Sequence, residues 1–356
     1  MIVLTGAYGN IGDAVIRRRV LNWVRDLGEI HAYVGNAPGG WIEQMGFEPD
    51  DRVYSAASSF SWMKLVFAPR RPKALVFDPG EISLARNSIR SELLTLALTF
   101  LVRMRGGVVV RPPRGISQSS GLGLFVHRLG ARFAKINLWR TQRSFDIVGD
   151  GSVVPDTAFQ EPFVPGLPWD QRRTLVISMR GKRKFPSDAW FSSMDLLAQD
   201  HGYCVVVLSQ VREDEERSRE IAERLKGRHL EWGSRSDLDH ERLVRGVYSE
   251  SAVVISDRLH VLVLAAVAGC IPIEVSDSPR TKVSEHFAQI GVHNMVIDSA
   301  IHSAEDIVRR AKDACRQRSR TQRALSVARE LLDIEEMRIK GAIDKTALVA
   351  SASDVG

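Results

Sequence analysis

The sequence predicts an α/β protein made of two parallel-sheet domains. Three observations carry this reading. Strand-like apolar runs alternate with helical patterns along most of the chain. A proline-rich break at residues 160–173, QEPFVPGLPWDQRR, interrupts that series near its middle. Each half then opens its own β–loop–α unit. With 356 residues, the chain exceeds one ordinary core and suits two domains of common size.

The elements follow in order. In the first half the apolar runs 2–5, 31–34, 74–77, 108–110 and 145–148 read as strands, with helices at 13–25 and 89–104. In the second half the strands are 174–178, 204–208, 253–256 and 271–275, and the helices are 188–200, 213–225 and 259–268. The domains therefore span 1–162 and 163–315, and 316–356 forms a C-terminal helix with a disordered tail from 351. Two Rossmann-like domains facing across a cleft make a GT-B-like architecture. No internal repeat or low-complexity segment is present.

Composition limits the function classes. Hydrophobic content of 44% and charged content of 26% belong to a globular protein. The three cysteines, Cys204, Cys270 and Cys315, form no CxxC or zinc spacing. So sparse a set suits a reducing cytoplasm. No basic stretch precedes the first strand, so no export leader is expected. The longest apolar run, 93–102, is shorter than the roughly 20 residues a bilayer span needs, and reads as a buried helix.

The net charge is +6, with basic clusters at 17–19, 70–73, 103–114 and 180–184. Such a balance favours anionic partners. No basic stretch is interleaved with aromatics as an RNA-binding surface requires, so nucleic acid is not among the expected partners. The basic segment 103–114 beside the apolar helix also suits a peripheral contact with anionic membrane.

The first motif is Gly6-Ala7-Tyr8-Gly9-Asn10-Ile11-Gly12-Asp13, between a strand and a helix. Glycines admit a tight turn, and the helix N-terminus offers N–H groups to an anion. The loop is similar to that of short-chain dehydrogenases, but no tyrosine here is followed four residues later by the lysine those enzymes use. Asp13 has two readings: a helix cap, or a carboxylate that accepts hydroxyl hydrogen bonds or acts as a base.

The second motif is the more informative. In VVISDRLHVLVLAAVAGCIP a strand ends at Ser256, and an apolar helix closed by Gly269 follows. The polar residues Asp257, Arg258 and His260 are confined to the turn between them. In parallel sheets that turn lies at the carboxyl ends of the strands, where ligands bind. Arg258 offers a planar donor fork for carboxylate or phosphate. His260 suits proton transfer near neutral pH.

These residues resemble the signature regions of the polysaccharide pyruvyl transferase family. The resemblance rests on Gly9-Asn10-Ile11-Gly12-Asp13 and on Ser256-Asp257-Arg258-Leu259-His260. Between and after them lie Pro155-Asp156-Thr157-Ala158-Phe159, Ile177-Ser178-Met179-Arg180-Gly181 and Lys282, in the family's order. The resemblance implies transfer from phosphoenolpyruvate to a glycan or lipid-linked sugar, with no metal or nicotinamide. It implies that Arg258, Leu259 and His260 belong to the phosphoenolpyruvate site, with Arg180 and Lys282 as further cations. Gly9, Asn10, Gly12, Asp13 and Glu81 are the expected acceptor-side contacts. Two departures concern that side: Phe77-Asp78-Pro79-Gly80-Glu81 replaces a glycine-rich turn, and Arg140 is followed by Thr141 instead of an acid. A nucleotide-sugar glycosyltransferase and a non-catalytic glycan- or membrane-surface binder are the competing readings.

Overall fold

The computed structural model describes residues 1–6, 8–68 and 74–353. The basic run at 70–73 lies outside the described residues, as do Ala7 and residues 354–356. The chain divides into two compact units. The first comprises Met1–Tyr8, Asp13–Thr157 and Glu330–Gly356, and the second Gly9–Gly12 and Ala158–Arg329.

The first unit contains β1 (Ile2–Val3), α1 (Ile11–Val24, whose first two residues group with the second unit), β2 (His31–Gly35), α2 (Gly39–Gln44), β3 (Arg52–Ser55), α3 (Ser59–Lys64), β4 (Ala74–Val76), β5 (Gly80–Leu84), α4 (Ile89–Met104), β6 (Val108–Ser119), α5 (Gly121–Phe133), β7 (Ile136–Trp139), α6 (Gln142–Val148) and β8 (Ser152–Val153). Its strands run in the order β3-β2-β1-β4-β6-β7-β8, with β5 also on β6, and every pairing is parallel. Trp62, Leu75, Phe77, Leu98 and Val109 form one core cluster, and Leu84, Ala131 and Trp139 anchor another.

The second unit contains β9 (Thr174–Ser178), α7 (Asp188–His201), β10 (Cys204–Leu208), α8 (Glu215–Leu225), β11 (Arg228–Leu230), α9 (Asp237–Glu250), β12 (Val253–Ser256), α10 (Leu259–Val267), β13 (Ile271–Ser276), α11 (Thr281–Gln289), β14 (Val296–Asp298) and α12 (Ala304–Arg316). The order β11-β10-β9-β12-β13-β14 is again wholly parallel. Leu175, Ile177, Trp190, Met194, Ile255 and Ile273 pack at its core. The last helix, α13 (Arg318–Ser353), begins in this unit and ends in the first. It carries residues 351–353, which the sequence reading assigned to a disordered tail.

Two expectations are corrected. Residues 145–148 belong to helix α6, not to a strand. Thr141 caps that helix by accepting the Ser144 N–H, and Gly149 ends it in the left-handed conformation at φ 78°. The strand of that region is β7, buried along its whole length. The apolar run 93–102 is helical, as expected, but it is not buried throughout. Leu93, Leu94 and Phe100 of α4 face outward. Among the described residues no helix is long and apolar enough to cross a membrane.

The break at 160–173 begins at the end of the 3-10 turn Thr157–Gln160 and holds a second one, Trp169–Gln171. Its Arg172 is buried and acts as an internal clamp. Nε donates to the Leu167 carbonyl at 2.9 Å, and Nη1 to those of Ser251 at 3.0 Å and Ala268 at 3.1 Å.

Candidate functional site

Arg180, Arg258, Leu259 and His260 follow the carboxyl ends of β9 and β12 in the second unit. A cavity of about 230 Å³ opens at the carboxyl ends of β9, β12 and β13, and of the expected residues Arg180 alone lines it. Its cations are Arg180, Arg183, Lys184, Arg217 and Arg280, and Asp257 and Trp190 also line it. The parallel order places the three strand ends side by side, so the loops after them converge.

Two buried aspartates build this corner. Asp257 Oδ1 accepts the Arg180 backbone N–H at 2.9 Å, and Oδ2 lies 3.1 Å from Arg183 Nε. Asp214, in the short turn before α8, accepts the Gly181 N–H at 2.8 Å and holds the Arg258 guanidinium through a two-pronged ion pair. Each acid thus fixes a loop amide and an arginine together. Ser256 Oγ accepts the Arg258 N–H at 3.0 Å, which sets the turn before α10.

Arg217 has a different job. Its Nη2 donates to the carbonyls of Gly181 at 3.1 Å and Arg183 at 3.0 Å, and Nη1 to that of Lys184 at 3.3 Å. Its guanidinium also stacks over Phe185 at 4.9 Å. It braces the backbone of the 180–184 loop, whose Lys182 and Lys184 side chains are exposed. Burial lowers the Arg180 pKa, and the neighbouring charges of Arg258, Arg280 and Arg183 lower it further, against the pull of Asp257. Crowded like charges of this kind favour an incoming anion.

Beneath the rim sits Glu274 of β13, fully buried. It accepts from Ser276 Oγ at 3.2 Å and from the Arg280 N–H at 3.4 Å, and lies 4.0 Å from Arg183 Nη1. Burial pushes its carboxyl up to about 7, which these hydrogen bonds only partly oppose.

The other expected residues fall as follows. His260 sits in the first turn of α10, and Gly12 lies directly against it. A Cβ on Gly12 would stand 2.3 Å from His260 Cβ and 2.5 Å from Nδ1, so only glycine admits this approach. The turn carrying Gly12 joins the second unit because Ile11 N–H donates to the Gln210 carbonyl at 3.4 Å and Asn10 bridges Val211. Asn10 Oδ1 accepts the Gly12 N–H at 3.1 Å. Asn10 thus caps α1, and Asp13 stands in the first turn of that helix. Gly9 turns the chain before it, at φ 78°. Leu259 is buried among core residues, so its side chain packs instead of lining the cavity. Lys282 is half-buried in the first turn of α11, and from that loop the cavity takes Arg280 together with Ser276, Asp277 and Ser278.

Asp13 and Glu81 are held in the first unit. Asp13 pairs with Arg17 at 3.0 Å, one helical turn on. Arg17 is buried and also binds Asp78, through Nε and Nη2, each at 2.9 Å. Burial raises the Asp78 carboxyl to about 6 despite Arg17 and Arg114. Glu81 lies 3.6 Å from Arg140, whose firmer partner is buried Asp156 at 2.9 Å. Arg17, Arg111 and Arg114, read from sequence as parts of anion-attracting clusters, are interior residues.

Sequence reasoning missed Arg183, Asp214, Arg217, Glu274 and Arg280. Only the run KRK at 182–184 had a local signal. The others are ordinary charged residues until the sheet order brings their loops together.

Two parallel α/β units of this kind are the architecture of the GT-B fold. A family model described as polysaccharide pyruvyl transferase matches residues 10–273, and the chain belongs to that family. Comparison with curated proteins yields no match in sequence. Among solved structures the chain is similar to HepE of Anabaena in complex with UDP and glucose, at 14% identity and TM-score 0.53, over 97% of this chain and 98% of that one. It is similar to UDP-GlcNAc 2-epimerase from Neisseria meningitidis bound to UDP-GlcNAc, at 12% and 0.53, over 95% and 99%. It is also similar to the glycotransferase of kitacinnamycin, at 10% and 0.54, over 97% and 98%. Likenesses at this identity concern the fold.

Proposed function

We propose that the protein transfers the pyruvyl group of phosphoenolpyruvate to two hydroxyls of a glycan, forming a pyruvate ketal and releasing phosphate. The observation that carries the reading is the arginine cluster at the ends of β9, β12 and β13, in a chain of this family. Phosphoenolpyruvate carries a carboxylate and a phosphate, and a partly dry site needs several cations to hold both. Arg180, Arg183 and Arg280 supply them, with Arg258 beside them on Asp214.

The chemistry balances without a metal or nicotinamide. A proton from His260 adds to the methylene carbon of the enol, and the adjacent carbon becomes oxocarbenium-like. One sugar hydroxyl bonds to that carbon and loses its proton. The carbon–oxygen bond to phosphate then breaks, and the second hydroxyl closes the ketal as its own proton leaves. A well-placed general acid contributes about 10²–10⁴-fold in rate. The glycan acceptor, free or lipid-linked, and a cytoplasmic setting in keeping with the sparse cysteines, belong to the same reading. The reaction then serves polysaccharide or glycolipid synthesis for the cell envelope.

A nucleotide-sugar donor is the second reading, because HepE and the Neisseria epimerase, similar in fold, hold UDP-sugars or UDP. Thermal unfolding separates the two. Ligand at 100 times its Kd stabilises by about 2.7 kcal/mol, a rise of several degrees for domains of this size. Phosphoenolpyruvate is expected to give that rise, Arg180→Ala to abolish it, and His260→Ala to keep it while turnover falls about 10²–10⁴-fold. A rise with UDP-sugar alone refutes the pyruvyl reading in favour of glycosyl transfer.

A further inference from the structure

The first unit carries a face that the donor chemistry does not use. Helices α4 and α5 pack side by side and turn apolar residues to solvent. On α4 these are Leu93, Phe100 and Met104, on one helical ridge. On α5 they are Leu122, Phe125 and Phe133. Met104 is 70% exposed and Phe125 65%. Phe100 and Phe133 meet edge-to-face across the two helices, with ring centroids 5.8 Å apart, so the ridges join into one patch. The exposed Phe67 extends it, under the Arg105 guanidinium at 5.6 Å. Exposed apolar patches with a polar rim mark interaction surfaces.

The segment that forms the face is strongly basic. Between residues 85 and 135 the chain has nine lysines and arginines and a single acid, Glu92. Glu92 is turned inward, where it binds His127 Nδ1 at 2.8 Å. Arg86, Arg90, Arg103, Arg105, Arg128 and Arg132 are exposed. Among the described residues none of them forms an ion pair with an acid. Cations without acids around exposed phenylalanines complement a surface that is anionic outside and apolar beneath.

We propose that the α4–α5 face docks on an anionic lipid bilayer. The aromatic and aliphatic ridge enters the headgroup boundary, and the surrounding arginines bind lipid phosphates. This is independent of the donor assignment, because none of these residues lies in the second unit.

The test is cosedimentation of the full chain with vesicles of phosphatidylcholine alone and of phosphatidylcholine with about one third phosphatidylglycerol. Binding is expected only to the anionic vesicles, weakening as salt rises toward about 0.5 M. Each arginine contributes about fivefold to partitioning, so R90Q/R128Q/R132Q is expected to bind about a hundredfold more weakly. F125S/M104S is expected to weaken binding at constant charge. Melting temperature and the response to phosphoenolpyruvate are expected to stay at wild-type values in both variants, which separates lost docking from lost folding. Absence of binding to anionic vesicles at low salt, or equal binding by wild type and the arginine variant, overturns the proposal. So does a dimer that Phe125→Asp converts to monomer, which assigns the face to a second copy of the chain.

Discussion

Glu274 offers the sharpest test of the electrostatics under the cavity. Burial raises its carboxyl from the ordinary 4.5 to about 7. A carboxyl whose folded pKa lies above its unfolded one holds its proton more tightly in the folded protein. Its stabilising effect is therefore complete in acid and is lost as pH rises through the interval from about 4.5 to about 7. At about 1.4 kcal/mol per pH unit, the loss amounts to about 3 kcal/mol. Glu274→Gln keeps the shape and a hydrogen-bonding head but cannot ionise. The variant is expected to match wild type near pH 4, below the unfolded value, and to exceed it near pH 8 by up to that amount. For a unit of this size the difference corresponds to about 5–10 °C in Tm. Calorimetric melting of both proteins at the two pH values measures it. An equal Tm difference at both would show that Glu274 is charged throughout, held by Arg183 and the Arg280 N–H, and would refute the reasoning.

Two further outcomes follow from contacts already described. Gly12→Ala forces a methyl into His260, and such overpacking costs about 1–3 kcal/mol. A displacement of His260 by about 1 Å lowers turnover about 10²-fold, so wild-type phosphoenolpyruvate turnover in this variant would remove the contact from the mechanism. Arg172→Lys replaces a forked donor with a point charge over three backbone carbonyls, two of them buried. A loss of about 2–3 kcal/mol in denaturant unfolding of the second unit is expected, and an unchanged midpoint would show that water takes over the lost bonds.

Local order determined much of what could be read from the chain. β9, β10 and β12 read as largely apolar runs because both faces of a central parallel strand are covered, and such runs are visible without a structure. The apolar stretch after His260 read as a buried helix, and α10 is one. The confinement of Asp257, Arg258 and His260 to the turn before it was therefore legible too. Residues 145–148 misled because three apolar residues around Asp146 suit a strand or a short helix equally, and the Thr141 cap and Gly149 settled the matter. The run at 93–102 misled in another way, since hydropathy alone does not say which side of a helix is covered. The tertiary structure decided the partners. Asp214 holds Arg258 from 44 positions away, Asp257 holds the Arg180 amide from 77, and Asp78 claims Arg17 from 61. Contacts of this span carry no sequence period, because they arise only when the sheet sets remote loops side by side. The same holds for Glu274, whose raised pKa comes from burial beneath a rim that distant segments assemble.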